Sequence, residues 1–469
     1  MKTLLYTTLS LLFFCSIQAL ALEVRASLPY PADDPFYSPP DGWKDKPLGT
    51  ILRKRKVEIN SFFGLNLQEA WQLLYRTSYV TKDQPTTSVT TIMVPYNAKR
   101  NRLLVSGEFE DANGPQCAPS YTYRAGVQSD PSATVNMAAT IPYLKEGYIV
   151  TVPDKESRKG AFASGHVEGH QTLDATRATL AFDHLNLTKD IRIAGQGYSG
   201  GAIQTGWAAS LKPTYAPELP FVGWYAGGPP TNLTSLILSI NKGIFSAFLL
   251  GGVAGLSDTY PEMNDYIEEV ATQEMKDALD YIRTHCLVDD LLKYPFQDIF
   301  DYKWTTKGPH VLDDPRIQKV LADLTMGVKE EQTPDAPVLI VSGKVDEISP
   351  NESAEKTARS WCNYGGSVEF VDYDTDLSAH FITQVTATTR AFKWVRDRLE
   401  GKPLPKRCIF TKSYDVILDV EELGDQYVDI LKMIDGFAGD KIGPGDKILI
   451  SKLKKGQQRD HKRRYYKAL

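Results

Sequence analysis

The spacing of apolar and polar positions changes along this chain. Near the start, four segments that alternate or run apolar between turn residues predict β-strands: residues 50–59, 71–80, 86–94 and 102–107. Further on, short apolar runs at 148–152, 191–194, 221–226, 338–342 and 368–371 interleave with segments of helical spacing at 171–185 and 392–399. Antiparallel strands followed by β–α alternation predict an α/β fold, with a mostly parallel sheet and helices on both faces.

One interval between two of these predicted strands breaks the pattern. Residues 227–334 begin with a Gly-Gly-Pro-Pro turn and continue with mainly helical segments, among them 263–282 and 316–324. Because the interval lies between core strands, we interpret it as a helical cap over the site edge of the sheet. The predicted division is a signal segment, a first core part, the cap, a second core part and a C-terminal extension: 1–21, 22–226, 227–334, 335–408 and 409–469.

The first 21 residues have the pattern of a secretory signal peptide. Lys2 precedes an apolar run over residues 4–17, and a small-x-small cleavage site ends at Ala21. That run is too short for a comfortable membrane span, and the later apolar segment 236–256 is interrupted by polar residues and glycines. We therefore expect a secreted, extracellular protein with no transmembrane segment.

Cysteines and sequons agree with a secretory route. After removal of the signal, the remaining cysteines are Cys117, Cys286, Cys362 and Cys408. An even number in a secreted chain predicts two disulfides with three possible connectivities, and the alternative zinc site lacks any C-x-x-C spacing. The predicted N-glycosylation sites are Asn186, Asn232 and Asn351.

Charge and motif content give few signs of other partners. The net charge of −5 gives no indication of nucleic-acid binding. A basic tail at 452–467 is either a solvated, frayed end or a segment attracted to an anionic surface such as lipid or cell wall. His166 and His170 flank a short motif that is not H-E-x-x-H, and no phosphate-binding loop or dinucleotide fingerprint is present, so we expect no metal and no cofactor.

The residues 197–201 read G-x-S-x-G at the junction of a predicted strand and a helical segment. A serine on such a turn exposes its hydroxyl above the sheet, and small flanking residues let strand and helix approach closely. Ser199 is therefore the candidate nucleophile.

A serine hydroxyl needs a base, and the base needs a third group that orients it. On this architecture the expected chain order is serine, acid, histidine, with the last two after late strands. Asp346 follows the strand 338–342, and His380 is the only one of seven histidines that follows a late strand. The rival acids lie too near His380 in sequence and are assigned to its own loop: Asp372, Asp374 and Asp376.

The negative oxygen of an acyl-transfer intermediate requires preorganised N–H donors. One is expected from Gly200, the residue after the nucleophile, and one from the loop 107–112 after an early strand. The alternative interpretation of the acids in that loop is a solvated, helix-capping cluster.

Several motifs resemble the fungal secretory lipase family, the group of the Candida secreted lipases and Candida antarctica lipase A. They are Asp34-Pro35-Phe36-Tyr37, Phe109-Glu110-Asp111 with Cys117-Ala118-Pro119-Ser120-Tyr121, Gly147-Tyr148 with Val152-Pro153-Asp154, Gly197 to Gly201 running on to Ala209, Gly255-Leu256 with Tyr260-Pro261, and Gly443-Pro444. The chain departs from the family at Asp154-Lys155-Glu156-Ser157, where relatives carry Asp-Tyr-Glu-Gly, and in its basic tail.

The resemblance implies an α/β-hydrolase core with a helical cap and the triad Ser199–Asp346–His380. It also implies an oxyanion hole at Asp111 and Gly200. Disulfides Cys117–Cys286 and Cys362–Cys408, and a C-terminal flap bordering the acyl site, are further implications of the same resemblance.

Together these features predict a secreted carboxylic-ester hydrolase that works through an acyl-enzyme without a cofactor. A triacylglycerol lipase acting on an acyl ester, with a possible lipid interface, is the first hypothesis. Its cap segment 237–256 is either an acyl-tunnel lining or cap-to-core packing. The alternatives are an esterase of a small or terpenoid metabolite, such as a trichothecene deacetylase, a serine peptidase on the same fold, and a non-catalytic hydrolase-like binding protein.

Overall fold

The computed structural model describes residues 28–61, 64–126, 129–156, 159–376, 378–404, 407–414 and Leu423. Within these ranges the strands are β1 Ile51–Val57, β2 Glu69–Ser78, β3 Pro85–Val94, β4 Lys99–Gly107, β5 Tyr148–Pro153, β6 Arg192–Tyr198, β7 Phe221–Gly227, β8 Val338–Gly343, β9 Val368–Tyr373 and β10 Ile409–Ser413. They form one sheet in the order β1-β2-β3-β5-β4-β6-β7-β8-β9-β10. The first three strands are antiparallel and β3 pairs antiparallel with β5, but the strands from β5 to β10 in this order run parallel. The predicted mostly parallel sheet is confirmed.

Helices cover both faces of this sheet. Over the same described ranges they are α1 Pro119–Ala125, α2 Ser132–Lys145, α3 Gly165–Leu180, α4 Gly200–Tyr215, α5 Leu233–Ile240, α6 Ala247–Thr259, α7 Pro261–Val270, α8 Gln273–Ile282, α9 Leu287–Lys293, α10 Pro315–Asp323, α11 Asn351–Asn363 and α12 His380–Leu399. The pair α3 and α4 packs against one face, and α2 and α12 pack against the other. The helices α5 to α10 all lie between β7 and β8, and we call residues 228–337 the insert.

The core has two parts because alternate residues of a strand point to opposite faces. Leu103 and Val105 of β4 belong to the cluster that includes α3, α4 and the insert. Leu104, between them, belongs to the cluster with α2 and α12. Burial on both faces explains why the central strands read as continuous apolar runs in the sequence.

The helix predicted over 263–282 is two helices, α7 and α8. The side chain of Thr272 accepts a hydrogen bond from the backbone N–H of Met275 at 3.3 Å and so caps the start of α8. Ala271 makes an isolated antiparallel bridge with Thr305 at the same break. The apolar spacing continues across the break, so periodicity alone gives no sign of it.

Two other helices differ from their predicted ranges. The predicted helix 392–399 is only the end of α12, whose earlier part contains residues of low helix propensity: Thr383, Thr386, Thr388 and Thr389. The helix predicted over 171–185 begins earlier and ends at Leu180, and a separate 3₁₀ turn follows at Asp183–Leu185.

Two disulfides fasten these elements together. Cys117, in the loop after β4, is joined to Cys286 at the start of α9, which ties the core to the insert. Cys362 near the end of α11 is joined to Cys408, which precedes the edge strand β10. These are the pairs that the resemblance implies.

Candidate active site

Ser199 is the single residue between β6 and α4. Its φ of 56° and ψ of −123° lie where side-chain-bearing residues are strained. A Cβ added at Gly197 would lie 2.0 Å from the carbonyl oxygen of Gly201, and one added at Gly201 would lie 2.3 Å from that of Gly107. Strand and helix therefore approach so closely that these positions require glycine, which is the geometry of a nucleophile turn.

The imidazole of His380, the first residue of α12, is held by Asp346, which lies three residues beyond β8. Nδ1 of the ring and Oδ2 of Asp346 are 2.7 Å apart. The other carboxylate oxygen accepts the backbone N–H groups of Ile348 at 3.0 Å and Ser349 at 2.7 Å. Since Nδ1 is engaged with the carboxylate, Nε2 is the ring nitrogen that is left without a hydrogen bond to any described residue, and it is buried.

The serine turn and the histidine meet through their neighbours. Tyr198 donates its hydroxyl to the carbonyl oxygen of His380 at 2.7 Å, and the two rings lie 5.2 Å apart. The backbone N–H of Ser199 donates to Gly227 at 2.9 Å, and a Cβ on the following Gly228 would lie 2.9 Å from Cε1 of the imidazole. The three predicted triad residues thus lie at one edge of the sheet.

Glu347 is a site residue that sequence reasoning missed. Its Oε2 accepts the backbone N–H of His380 at 2.8 Å, so two consecutive acids hold the same histidine. Burial opposes the charged imidazolium, but attraction to Asp346, Glu347 and Asp111 outweighs it and raises the pKa of His380. The available signal was the position of Glu347 directly after the predicted triad acid.

Asp111, in the loop after β4, lies against the first residue of α4. A Cβ built on Gly200 would be only 1.7 Å from Oδ1 of Asp111, so the carboxyl fits because residue 200 is glycine. Asp111 has a φ of 49°, in the left-handed region that side chains rarely adopt. Burial raises the pKa of Asp111, although Lys155 and His380 attract its charged form. The loop predicted from sequence therefore does reach the helix end next to the nucleophile.

An apolar pocket lies between the core and the insert. It encloses about 820 Å³ including its open mouth. Ile203, one turn along α4 from Ser199, contributes to its wall, as do Phe162 of the core and Phe248 of α6. The pocket thus extends from the helix that follows the candidate nucleophile into the insert.

The other predicted residues have structural partners. Nδ1 of His170 lies 2.6 Å from the carbonyl oxygen of Tyr79, and His166 lies 3.4 Å from Asp323. Among the described residues, no three metal-ligating side chains come together. Two of the three rival acids bond elsewhere, since Asp374 pairs with Lys412 at 2.8 Å and Asp372 accepts a hydrogen bond from Asn351 at 3.2 Å.

The predicted sequons differ in their surroundings. Asn186 is exposed after a 3₁₀ turn, Asn232 caps α5 through the N–H of Ser235 at 2.8 Å, and Asn351 begins α11. The predicted signal segment, the basic tail and all but a few residues of the C-terminal extension lie outside the described residues. Of the helices that the structure describes, none has the length and apolar character needed to cross a bilayer.

The parallel sheet, the strained serine between strand and helix, and the acid and histidine at the ends of later strands define an α/β-hydrolase fold. Solved structures agree: Candida antarctica lipase A has a TM-score of 0.79 and 29% identity, over 89% of this chain and 100% of that chain. A rice cell wall degrading esterase, LipA from Xanthomonas oryzae, shares the fold with a TM-score of 0.61 at 18% identity, over 76% of this chain and 100% of that chain.

Residues 127–406 match the model of the secretory lipase family. The secreted triacylglycerol lipase LIP2 of Malassezia globosa is 51% identical over 93% of this chain and 97% of its own length. The secreted triacylglycerol lipase LIP1 of Malassezia furfur is 44% identical over 90% of this chain and 86% of its own. The chain belongs to the secretory lipase family and is a secreted carboxylic-ester hydrolase.

Proposed function

We propose that this enzyme hydrolyses triacylglycerols through a Ser199–His380–Asp346 triad. The observation that carries the proposal is the imidazole of His380, whose Nδ1 is fixed by Asp346 at 2.7 Å while Nε2 has no partner among the described residues. Its neighbours in space are Tyr198, the residue before the strained serine, and Gly228, which follows the glycine that accepts the backbone N–H of Ser199. An oriented base next to a partly exposed serine hydroxyl is what acyl transfer to serine requires.

In this mechanism the Oγ of Ser199 attacks the ester carbonyl while Nε2 of His380 takes the hydroxyl proton. The resulting imidazolium is stabilised by Asp346, and it then protonates the departing alcohol, which leaves an acyl-serine. Water enters, gives a proton to His380 and attacks the acyl carbon. Collapse of the second intermediate releases the fatty acid and returns the proton to Ser199.

The proposed oxyanion site lies at the start of α4. Gly200 is the first residue of the helix, so its N–H has no hydrogen-bond acceptor within the helix. This N–H lies at the N-terminus, which is the positive end of the helix dipole. Asp111, with Oδ1 against Gly200, forms the other wall of this site. Donors fixed before the reaction stabilise the oxyanion without reorganising.

The substrate class follows from the pocket and the relatives. The relatives are named triacylglycerol lipases, and the pocket beside Ile203 is lined almost entirely by apolar side chains, as an acyl chain requires. We propose that the insert is the cap of the enzyme, that its segment 237–256 lines the acyl site, and that the substrate is taken from a lipid interface.

The test is hydrolysis of p-nitrophenyl esters from acetate to palmitate, followed by emulsified triacylglycerol, with Ser199→Ala and the exposed Ser38→Ala as matched variants. We expect a maximum at medium or long chains, loss of at least about a thousandfold in Ser199→Ala and no change in Ser38→Ala. A fluorophosphonate probe should label the wild type and not Ser199→Ala. Activity confined to acetate would favour the small-ester alternative, and an active Ser199→Ala would refute the serine assignment.

A further inference from the structure

A lysine lies inside the protein next to the proposed oxyanion site. The side chain of Lys155, two residues beyond β5, is 1% exposed. Its ammonium is 3.6 Å from Oδ1 of Asp111, 2.7 Å from Glu156 and 3.5 Å from Glu168, and it lies 5.2 Å from the ring centre of Phe162. Burying an ammonium costs free energy unless an opposite charge lies close to it. The neighbouring carboxyls therefore determine whether Lys155 keeps its proton.

The carboxyl groups around Lys155 outnumber its single positive charge. The titratable groups that act on this cluster come from the loop after β4, the segment before α2, the segment after β5, α3 and α12: Glu110, Asp111, Asp130, Asp154, Glu156, Glu168 and His380. The carboxyls raise the pKa of Lys155 despite its burial, so it stays charged. Burial raises the pKa of Glu156 to about 7 and that of Glu168 to about 8. The ammonium of Lys155 is therefore shared by several carboxyl groups, and some of these are protonated and neutral near pH 7.

Asp111 connects this cluster to the chemistry. The same atom, Oδ1, lies against Gly200 and is 3.6 Å from the ammonium of Lys155. Negative charge develops beside Gly200 when the ester carbonyl is attacked. An ionised Asp111 alone would repel that charge, and a cation 3.6 Å from the carboxylate offsets the repulsion.

We propose that Lys155 is a positioning residue of this hydrolase, whose ammonium balances the Asp111 carboxylate and keeps the oxyanion site free of net negative charge. The proposal rests on the proposed function. It gives a role in the reaction to a residue that lies outside the proposed triad.

The test replaces the cation with a neutral chain of similar length, Lys155→Met, and measures kcat and KM on a soluble ester between pH 5 and 9. The missing charge acts on the transition state, so kcat should fall at least about tenfold with KM nearly unchanged. The loss should grow as pH rises, because the ionised Asp111 is no longer balanced. A residue with only a structural role would lower activity by the same factor at every pH.

The matched control is Glu168→Gln, which removes a carboxyl from the same ammonium and leaves the Lys155–Asp111 contact in place. We expect its kcat within about threefold of the wild type. If Lys155→Met does not fold, as judged by circular dichroism, Lys155→Met/Glu156→Gln removes the cation together with its nearest anion. This double variant should fold and show the same pH-dependent loss.

The proposal is overturned by a folded variant lacking Lys155 that keeps the wild-type kcat, by a loss that is equal at all pH values, or by an equal loss in Glu168→Gln. Failure of the proposed function has a different signature. In that case the wild type itself does not react with fluorophosphonate, or Ser199→Ala stays active, whatever Lys155→Met does.

Discussion

His380 is held at three points by three different residues. Asp346 fixes its ring, Glu347 its backbone N–H, and Tyr198 its carbonyl oxygen. The first two also bring negative charge to the imidazole and raise its pKa. Orientation and basicity of the proposed base are therefore set by the same contacts.

Replacing Glu347 separates these two effects. Glu347→Gln keeps an oxygen for the N–H of His380 but removes a charge that favours the imidazolium, so the pKa of His380 should fall. The reaction needs the neutral base, so the acid limb of kcat/KM should move to lower pH, with the plateau within about fivefold of the wild type. The pH profile of the exposed Glu352→Gln serves as control. An acid limb at the wild-type pH would show that Glu347 does not act on the base.

At the scale of residues, the sequence predicts those site residues that can be recognised by their order along the chain and their position at strand ends. Serine, acid and histidine follow one another at strand ends, so Ser199, Asp346 and His380 could be named before the structure was known. The surroundings of Lys155 could not be predicted, because its partners Asp111 and Glu168 come from distant segments of the chain. Sequence showed only an unusual residue at position 155.

At the scale of elements, α6 joins the insert to the core through one face. A Cβ on Gly255 would lie 2.5 Å from the backbone nitrogen of Phe162 and nearer still to its carbonyl oxygen, whereas a Cβ on Gly252 would meet no atom within 4 Å. Gly252 lines the apolar pocket. The same helix thus has one glycine required by packing and one that faces open space.

This difference gives a test of the acyl site. Gly252→Phe should place a ring in the pocket without a backbone clash, so activity on palmitate should fall at least about tenfold while activity on butyrate is retained. Gly252→Ala is the matched control and should keep the wild-type chain-length profile. Equal loss on both esters in Gly252→Phe would argue that long chains bind elsewhere.

Element positions are predicted better than element ends. All the strands predicted from apolar runs are present, with bounds that differ by a few residues. The helix α2 has no strong apolar period and contains Pro142, a residue that usually ends helices, so it was not predicted. The other helix ends depend on caps, such as Thr272, and on threonine-rich turns, such as the first part of α12. These features depend on contacts that cannot be inferred from the spacing of apolar residues.

At the scale of the whole molecule, the fold keeps several acids neutral. Burial raises the pKa of Glu108, Glu168 and Asp290 to about 8 and that of Asp154 to about 7. In the unfolded chain these groups ionise near pH 4. Between these values the folded protein binds more protons than the unfolded chain, so the free energy of unfolding falls as pH rises.

We therefore expect the melting temperature to decrease from pH 6.5 to 8. His170, whose pKa is lowered to about 3 by burial, has the opposite effect but only below about pH 6.5, where its unfolded form gains a proton. Each unit of difference between folded and unfolded pKa is worth about 1.4 kcal/mol, so the trend should be plain in scanning calorimetry. Glu168→Gln should flatten it, and a melting temperature that rises over this range would contradict the assignment.

The family and the layered architecture are readable from the sequence because they depend on order and pattern. The balance of buried charge depends on which side chains share an interior region, and a composition with 58 acids and 53 lysines and arginines says nothing about that. Only the folded structure shows that some of these acids lie in the core.

The Cys117–Cys286 bridge limits how far the insert can separate from the core. At α9 the two parts cannot move apart by more than the reach of a disulfide. At α5 they are joined by weaker contacts, such as the 3.3 Å hydrogen bond from Ser239 to the carbonyl oxygen of Glu347. Reduction of the bridge would therefore leave the insert attached to the core only by its two peptide connections, after β7 and before β8, and by noncovalent contacts.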